Sequence, residues 1–281
     1  MQHLFKRGQP LREGVKHLLI CGVLASALLP LYLMLVISLK SNEQFFANRW
    51  LPDAPSTWRW ENWSAGWNTV ADHLANSLLV STASVVLCLA IDLPTSYVLD
   101  RYRFPGREMV FYGLVVTMFL PGGAAALVTT FRLMGHLHLL NSLSALVLLA
   151  GVGGEVTCVF ILRQFIEDIP RELFESAQLD GAGHLRQLWT IVLPLSGPII
   201  GTLAIMTFIG AWNDLMMPLL LLRDQDLLTV PVALLRLDGE YVKQYGQLMA
   251  GYAISAIPLI LLFLFTMRLF VRGLTAGAVK G

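Results

Sequence analysis

Residues 168–194 read DIPRELFESAQLDGAGHLRQLWTIVLP. Pro170 suits the first turn of a helix, where its missing N–H has no intrahelical partner to lose. Glu172 and Glu175 stand where they meet the positive end of that helix. Leu173 and Ala177 are four apart and share a face. Asp180-Gly181 then ends the helix, because glycine enters the left-handed region without a Cβ clash. A second helix is predicted. Its Leu185, Leu188, Trp189 and Val192 follow the i, i+3, i+4, i+7 spacing of an amphipathic stripe. Pro194 and Pro198 mark the entry to the next element.

Around this polar island the chain is apolar. Of 281 residues, 56% are hydrophobic and 14% charged, with a mean hydropathy of +0.63. A soluble domain carries about 25% charged residues. The deficit excludes an ordinary soluble enzyme, a disordered tail and a secreted disulfide scaffold, and leaves a bilayer as solvent. Leu18–Leu39 is 22 residues without a charge. That is longer than the 7–15 apolar residues of a signal peptide, so a retained span is favoured. Further runs are Leu74–Ile91, Met109–Phe131, Leu139–Leu162 (broken by Glu155), Leu188–Leu222 (broken by Asp214) and Leu248–Met267. The reading is an all-α integral membrane protein with six transmembrane helices.

Positive charge orients it. With the N-terminus in the cytoplasm, thirteen of the 20 Lys and Arg fall on cytoplasmic segments and seven outside. The positive-inside rule then puts both termini in the cytoplasm. The expected organisation is a cytoplasmic segment 1–17, a first span 18–39 and an outer loop 40–73. A core 74–272 follows, containing the loop 163–193, and then a cytoplasmic tail 273–281. The outer loop holds Trp50, Trp58, Trp60, Trp63 and Trp67, five of the seven tryptophans. They read as an interfacial aromatic belt, or as a docking surface for an outside partner.

Other chemistries lack their residues. No Lys follows a Gly, so there is no phosphate loop, and GxSxG is missing. Gly151, Gly153 and Gly154 lie in an apolar run and read as small residues for close helix packing. His136 and His138 are two apart, on different helix faces, which disfavours a metal site. Cys21, Cys88 and Cys158 sit in apolar runs without a CxxC pair and read as core residues. A net charge of +1 gives no nucleic-acid footprint. No residue pattern argues for catalysis or a bound cofactor.

The quoted stretch resembles the EAA loop of ABC importer permeases, whose pattern is close to EAAxxDGAxxxxxxxxIxLPLxxP. Glu175, Ala177, Asp180, Gly181 and Ala182 match its first half, with Ser176 for the second Ala. Ile191, Leu193, Pro194, Leu195 and Pro198 match its second half. Leu188 stands where the sugar-importing branch usually has Phe. Arg101-Tyr-Arg-Phe-Pro-Gly-Arg107, Trp212-Asn213-Asp214 and the tail from Gly273 are similar to the MalG-like, carbohydrate-importing branch. One departure is Asp92-Leu-Pro-Thr-Ser, where small apolar residues usually precede Tyr97.

The resemblance implies a MetI-like permease core with a cytoplasmic coupling helix, in a bacterial inner membrane. It implies a second, MalF-like permease, an extracytoplasmic solute-binding protein and two cytosolic ATPase subunits. ATP and Mg belong to those ATPases. Glu175 and Asp180 would pair with groups of the ATPase, Gly181 would set the turn, and Leu185, Leu188 and Trp189 would fill an apolar socket. Gly277, Ala278, Val279, Lys280 and Gly281 would enter the ATPase interface. The solute expected is a sugar or oligosaccharide. A polyol or a glycerol phosphodiester is the alternative within the class, and a secondary transporter the alternative outside it. Three acids remain inside the spans. Glu155 and Asp214, with Asn213, are candidates for the solute pathway, since such residues usually face a bundle interior or an aqueous cavity. For Asp214 with Asn213, an interhelical hydrogen-bond network is the favoured alternative, since that motif recurs in the family whatever the sugar. Asp92 is expected to pair with Arg101 or Arg103.

Overall fold

A backbone in hydrocarbon has to satisfy its own N–H and C=O groups, and a helix does so within one segment. The computed structural model describes residues 9–119, 123–152, 156–239 and 243–278, and the side chains of these except 9–12, 124 and 267–278. Among the described residues every regular element is a helix. The long ones are α1 (Gln9–Ser38), α3 (Glu61–Arg101) and α14 (Tyr245–Ala278), with a short α2 (Asn42–Ala47) after the first. Between them come α4 (Arg107–Thr117), α5 (Ala124–His136), α6 (Leu143–Val152), α7 (Val156–Glu167) and α8 (Arg171–Leu179). Then follow α9 (His184–Gln187), a π turn Leu188–Val192, α10 (Leu193–Leu195), α11 (Gly197–Asn213), α12 (Met216–Leu221) and α13 (Val230–Asp238).

Three segments are each long and apolar enough to cross a bilayer: Glu13–Ser38, Glu61–Arg101 and Tyr245–Thr266. Two bent pairs bring the number among the described residues up to five if each pair is one span. The axes of α6 and α7 differ by 42°, and those of His184–Leu195 and Gly197–Asn213 by 81°. The run Met109–Phe131, expected as one span, is shared between α4 and α5, and residues 120–122 between them lie outside the description. The fifth expected region also changes. Leu188–Leu195 turns away from the span at Ser196, and the straight apolar helix begins at Gly197. Pro198 occupies its first turn, where a missing N–H costs nothing.

The chain divides into two compact units, residues 1–70 with 234–256 and residues 71–233 with 257–281. In the first unit the Trp-rich stretch is shorter as a loop than the sequence suggests, because α3 already begins at Glu61 and carries Trp63 and Trp67. At 1.5 Å per residue its 41 residues extend about 60 Å. Lys40 organises this end. Only 2% of its surface is exposed, and Nζ donates to Asp53 Oδ2 and to the Asn48 carbonyl, both at 2.7 Å. Asn62 donates to the Ser38 and Lys40 carbonyls, closing the end of α1. Phe45 stacks on Tyr245 with ring centres 4.2 Å apart. Trp58 is half-buried and donates to the Asp53 carbonyl, while Trp50, Trp60 and Trp67 stay exposed.

The second unit holds two apolar cores. One joins Cys88, Leu93 and Tyr97 of α3 to Leu162 and Ile166 of α7, Phe174 of α8 and Leu203 of α11. The other gathers Val80, Met134, Leu146, Leu221 and Val232. Pro94 lies inside α3 and removes one backbone donor. Nearby, the Thr95 hydroxyl donates to the Ile91 carbonyl and the Ser96 hydroxyl to those of Asp92 and Val159, the last bond crossing from α3 to α7. Gly151 is the close-packing glycine that the small-residue reading anticipates. A Cβ there would stand 2.9 Å from Leu87 Cβ and Cδ2. Gly153 and Gly154 lie outside the described residues.

Gly151→Val should therefore lower the thermal stability of the detergent-solubilised chain by about 1–3 kcal/mol through overpacking. Leu87→Ala in the same chain should recover part of that loss. Unchanged stability in the single variant would contradict the close approach.

Candidate functional site

The loop between α7 and α11 carries the matched motif, and its geometry starts from α8. Pro170 precedes the helix with extended backbone (φ −53°, ψ 132°), and Arg171 is its first residue. The far end closes as a Schellman motif. The Ala182 N–H donates to the Ala177 carbonyl at 2.8 Å and the Gly181 N–H to that of Gln178 at 3.0 Å. Gly181 takes φ +76°, and a Cβ there would meet nothing within 4 Å. The requirement for glycine is therefore conformational rather than steric.

Around that turn the motif residues face outward. Glu175, Ser176, Asp180 and Gly181 are exposed, and Ala177 and Ala182 are half-buried. Among the described residues neither Glu175 nor Asp180 forms an ion pair. The apolar stripe of the second helix separates into two. Leu185 and Trp189 are 74% and 64% exposed, whereas Leu188 is 5% exposed and Val192 fully buried. Leu188 is part of this chain's own core, which corrects its assignment to a partner's socket. The π turn at Leu188–Val192 fits more residues into a turn than an α-helix does, and it lets the two rows diverge.

The loop is held by α3. Arg101 Nη2 donates to the carbonyls of Ile166 at 2.8 Å and Ile169 at 2.9 Å, among the last backbone acceptors around the end of α7. The same guanidinium lies 3.9 Å from the centre of the Phe174 ring, a cation–π contact. One turn back, the Tyr97 hydroxyl donates to Gln187 Oε1 at 3.1 Å, and Gln187 Nε2 donates to the Ala182 carbonyl at 3.0 Å. Tyr102 adds a ring contact with His184, centres 4.5 Å apart. Tyr97, Arg101, Phe174, His184 and Gln187 border an open cleft of about 320 Å³ that also reaches Glu175 and Arg171. A second arginine repeats only the ring contact: Arg163 of α7 lies 3.8 Å from the Phe111 ring centre, beside Glu108. The hydrogen bond from Arg107 holds the Glu108 carboxyl below its ordinary range.

Phe174, Gln187 and Arg101 are the residues that sequence reasoning missed. Phe174 adjoins Leu173, and the loop sequence alone does not say which of the two turns inward. The structure chooses Phe174, 5% exposed against 43% for Leu173.

The remaining candidates separate. Asp214 Oδ1 accepts from the Met216 and Met217 N–H groups at 3.0 and 3.3 Å, so it caps the start of α12, and Asn213 is exposed. Glu155 lies outside the described residues. Gly277 and Ala278 end α14, while Val279, Lys280 and Gly281 lie outside the described residues. Asp92 accepts a hydrogen bond from the Cys88 thiol at 3.1 Å, while Arg101 ion-pairs with Asp100 at 2.9 Å.

Helices long and apolar enough to span a bilayer, joined to a braced, outward-facing polar loop, define an all-helical membrane protein. The pattern of the family described as "Binding-protein-dependent transport system inner membrane component" matches residues 92–276. The chain belongs to that family. It is 35% identical to the arabinooligosaccharides transport system permease protein AraQ of Halalkalibacterium halodurans over 206 residues, 73% of each chain. It is 32% identical to the sn-glycerol-3-phosphate transport system permease protein UgpE of Yersinia pestis over 268 residues, 92% of this chain and 93% of that one. Its fold matches a chain in the crystal structure of a bacterial ABC transporter involved in the import of the acidic polysaccharide alginate. The TM-score there is 0.82 at 21% identity, over 93% of this chain and 97% of that chain.

Arg101→Ala removes both carbonyl bonds and the ring contact at once. Charged hydrogen bonds contribute about 1.5–3 kcal/mol each. Amide hydrogen exchange across residues 171–179 should accelerate at least about tenfold, with exchange in α5 and α6 unchanged. Equal protection in α8 would show that the loop does not depend on this brace.

Proposed function

We propose that this chain is one of two permease subunits of an ATP-driven importer of a sugar or oligosaccharide. It would cross a bacterial inner membrane six times with both termini in the cytoplasm. Its partners would be a second, MalF-like permease, a soluble binding protein outside, and two cytosolic ATPases that hold the ATP and Mg. Membership of the family and the relationship to AraQ support this reading. The likeness to UgpE supports a second one, a polar phosphorylated polyol as solute.

The loop 163–193 is the coupling element in this proposal. The observation that carries it is a helix–turn–helix exposed on one side and fastened on the other. Glu175, Asp180, Leu185 and Trp189 offer the ATPase two carboxylates and two apolar side chains. Phe174, Gln187 and Leu188 attach the same helices to the spans. A push on the outer face then moves α3 and α7 with it, because Arg101 and Tyr97 leave little slack. The tail residues Gly277–Gly281 would add a contact at the ATPase dimer. Glu155 and Asn213 are kept as pathway candidates. The role of Asp214 as a cap favours the structural alternative for that residue.

Gly181 provides the test. A β-branched residue at φ +76° is strained by more than the roughly 1–2 kcal/mol of an ordinary side chain, whereas Asn tolerates that region. In the purified complex, Gly181→Val should abolish most stimulation of ATP hydrolysis by loaded binding protein, and Gly181→Asn should keep most of it. Normal stimulation in Gly181→Val would refute the coupling role.

A further inference from the structure

Asp92 is the acid that the transport reading leaves without a task. Cys88 and Asp92 stand four apart on α3 and therefore share a face. Cys158 of α7 meets them. The two sulfurs and a carboxylate oxygen all lie within 4.8 Å of one another. All three residues are buried, at 0%, 6% and 1% exposure. Thr207 of α11 brings its hydroxyl to 3.6 Å from Cys88 Sγ.

We propose that Cys88, Asp92 and Cys158 form a binding site for a thiophilic divalent cation, with zinc as the type ion. Two sulfurs and one oxygen donor are a set zinc accepts. With Zn–S near 2.3 Å and Zn–O near 2.0–2.2 Å, the edges of a tetrahedral site run about 3.5–3.8 Å. The spacings present, from 3.1 Å up to 4.8 Å, bracket that value, so side-chain shifts of about 1 Å close the site. Thr207 or a water takes the fourth position.

The charge balance permits the exchange. On binding, both thiols lose their protons and one dication enters, so the net charge of the buried group does not change. Coordination costs two released protons rather than a newly buried charge. The Cys88 thiol already points its proton at Asp92 Oδ2, which gives that proton a first acceptor. A bound ion would fix α3 to α7 close to the level where the Ser96 hydroxyl bridges them by hydrogen bonding to the Val159 carbonyl.

The test uses the full chain in detergent under a phosphine reductant, titrated with cadmium. One ion per chain should bind, with the ultraviolet thiolate-to-cadmium charge-transfer band and a rise in thermal stability. Zinc should displace it. Cys158→Ser should abolish the band, Asp92→Asn should weaken binding at least about tenfold, and Cys21→Ser should change nothing. No band and no stabilisation in the unaltered chain would overturn the proposal, and that outcome needs no variant to fold. An undiminished band in Cys158→Ser would overturn it equally, by assigning the signal to another thiol.

Discussion

Arg101 holds a helix end and an aromatic ring with one guanidinium. The end of a helix leaves carbonyls without intrahelical partners, and near a membrane surface they need donors. Arg101 reaches two around the end of α7 and spreads its plane over Phe174, the one buried residue of α8. Arginine suits this place because its planar fork donates in fixed directions while its face stays free to stack. Lysine, a point charge on a flexible stem, could not do both. The loop's position relative to α3 and α7 depends on this residue, with Tyr97 and Gln187 as a second fastening.

From that brace the division of the loop follows. Residues fastened inward, Phe174, Gln187, Leu188 and Val192, belong to the chain's own core or its edge. Residues left outward are the carboxylates and the larger apolar side chains Leu185 and Trp189. An exposed Trp beside an exposed Leu is costly for a surface facing water only, and it fits a surface that a partner covers. The 81° turn at Ser196 keeps this surface off the axis of α11. In the proposed coupling role, a force on it would be carried through α3 and α7 rather than along the next span.

Local signals in the sequence proved readable. The Asp180-Gly181 stop, the proline at the start of α8 and the small residue at Gly151 all follow from one-residue sterics. The apolar runs located the three long helices because an uncharged stretch of about 20 residues matches the thickness of the hydrocarbon core. Partners far apart in sequence were not readable. Arg101 and Ile166 are 65 positions apart, and Tyr97 and Gln187 are 90 apart. No periodicity within either segment encodes those pairs. The amphipathic stripe misled at Leu188 because a regular 3.6-residue period does not anticipate a π turn. The start of α3 was missed because polar residues 61–73 continue a helix without contributing to an apolar run. The hydrogen bond that Asp92 accepts from the Cys88 thiol, one turn away on the same helix, is not one that counting nearby charges anticipates.

The central claim is that this chain works only as part of an ATP-driven assembly reached through the loop around Gly181. Purification of the full chain from its own cells with all associated subunits tests it most directly, followed by ATP hydrolysis measured with loaded binding protein across a panel of sugars and phosphorylated polyols. The account predicts that two ATPase subunits and a second permease come with the chain, and that one class of solute stimulates hydrolysis. Recovery of the intact chain without any ATPase, together with uptake that persists when ATP is exhausted, would contradict it.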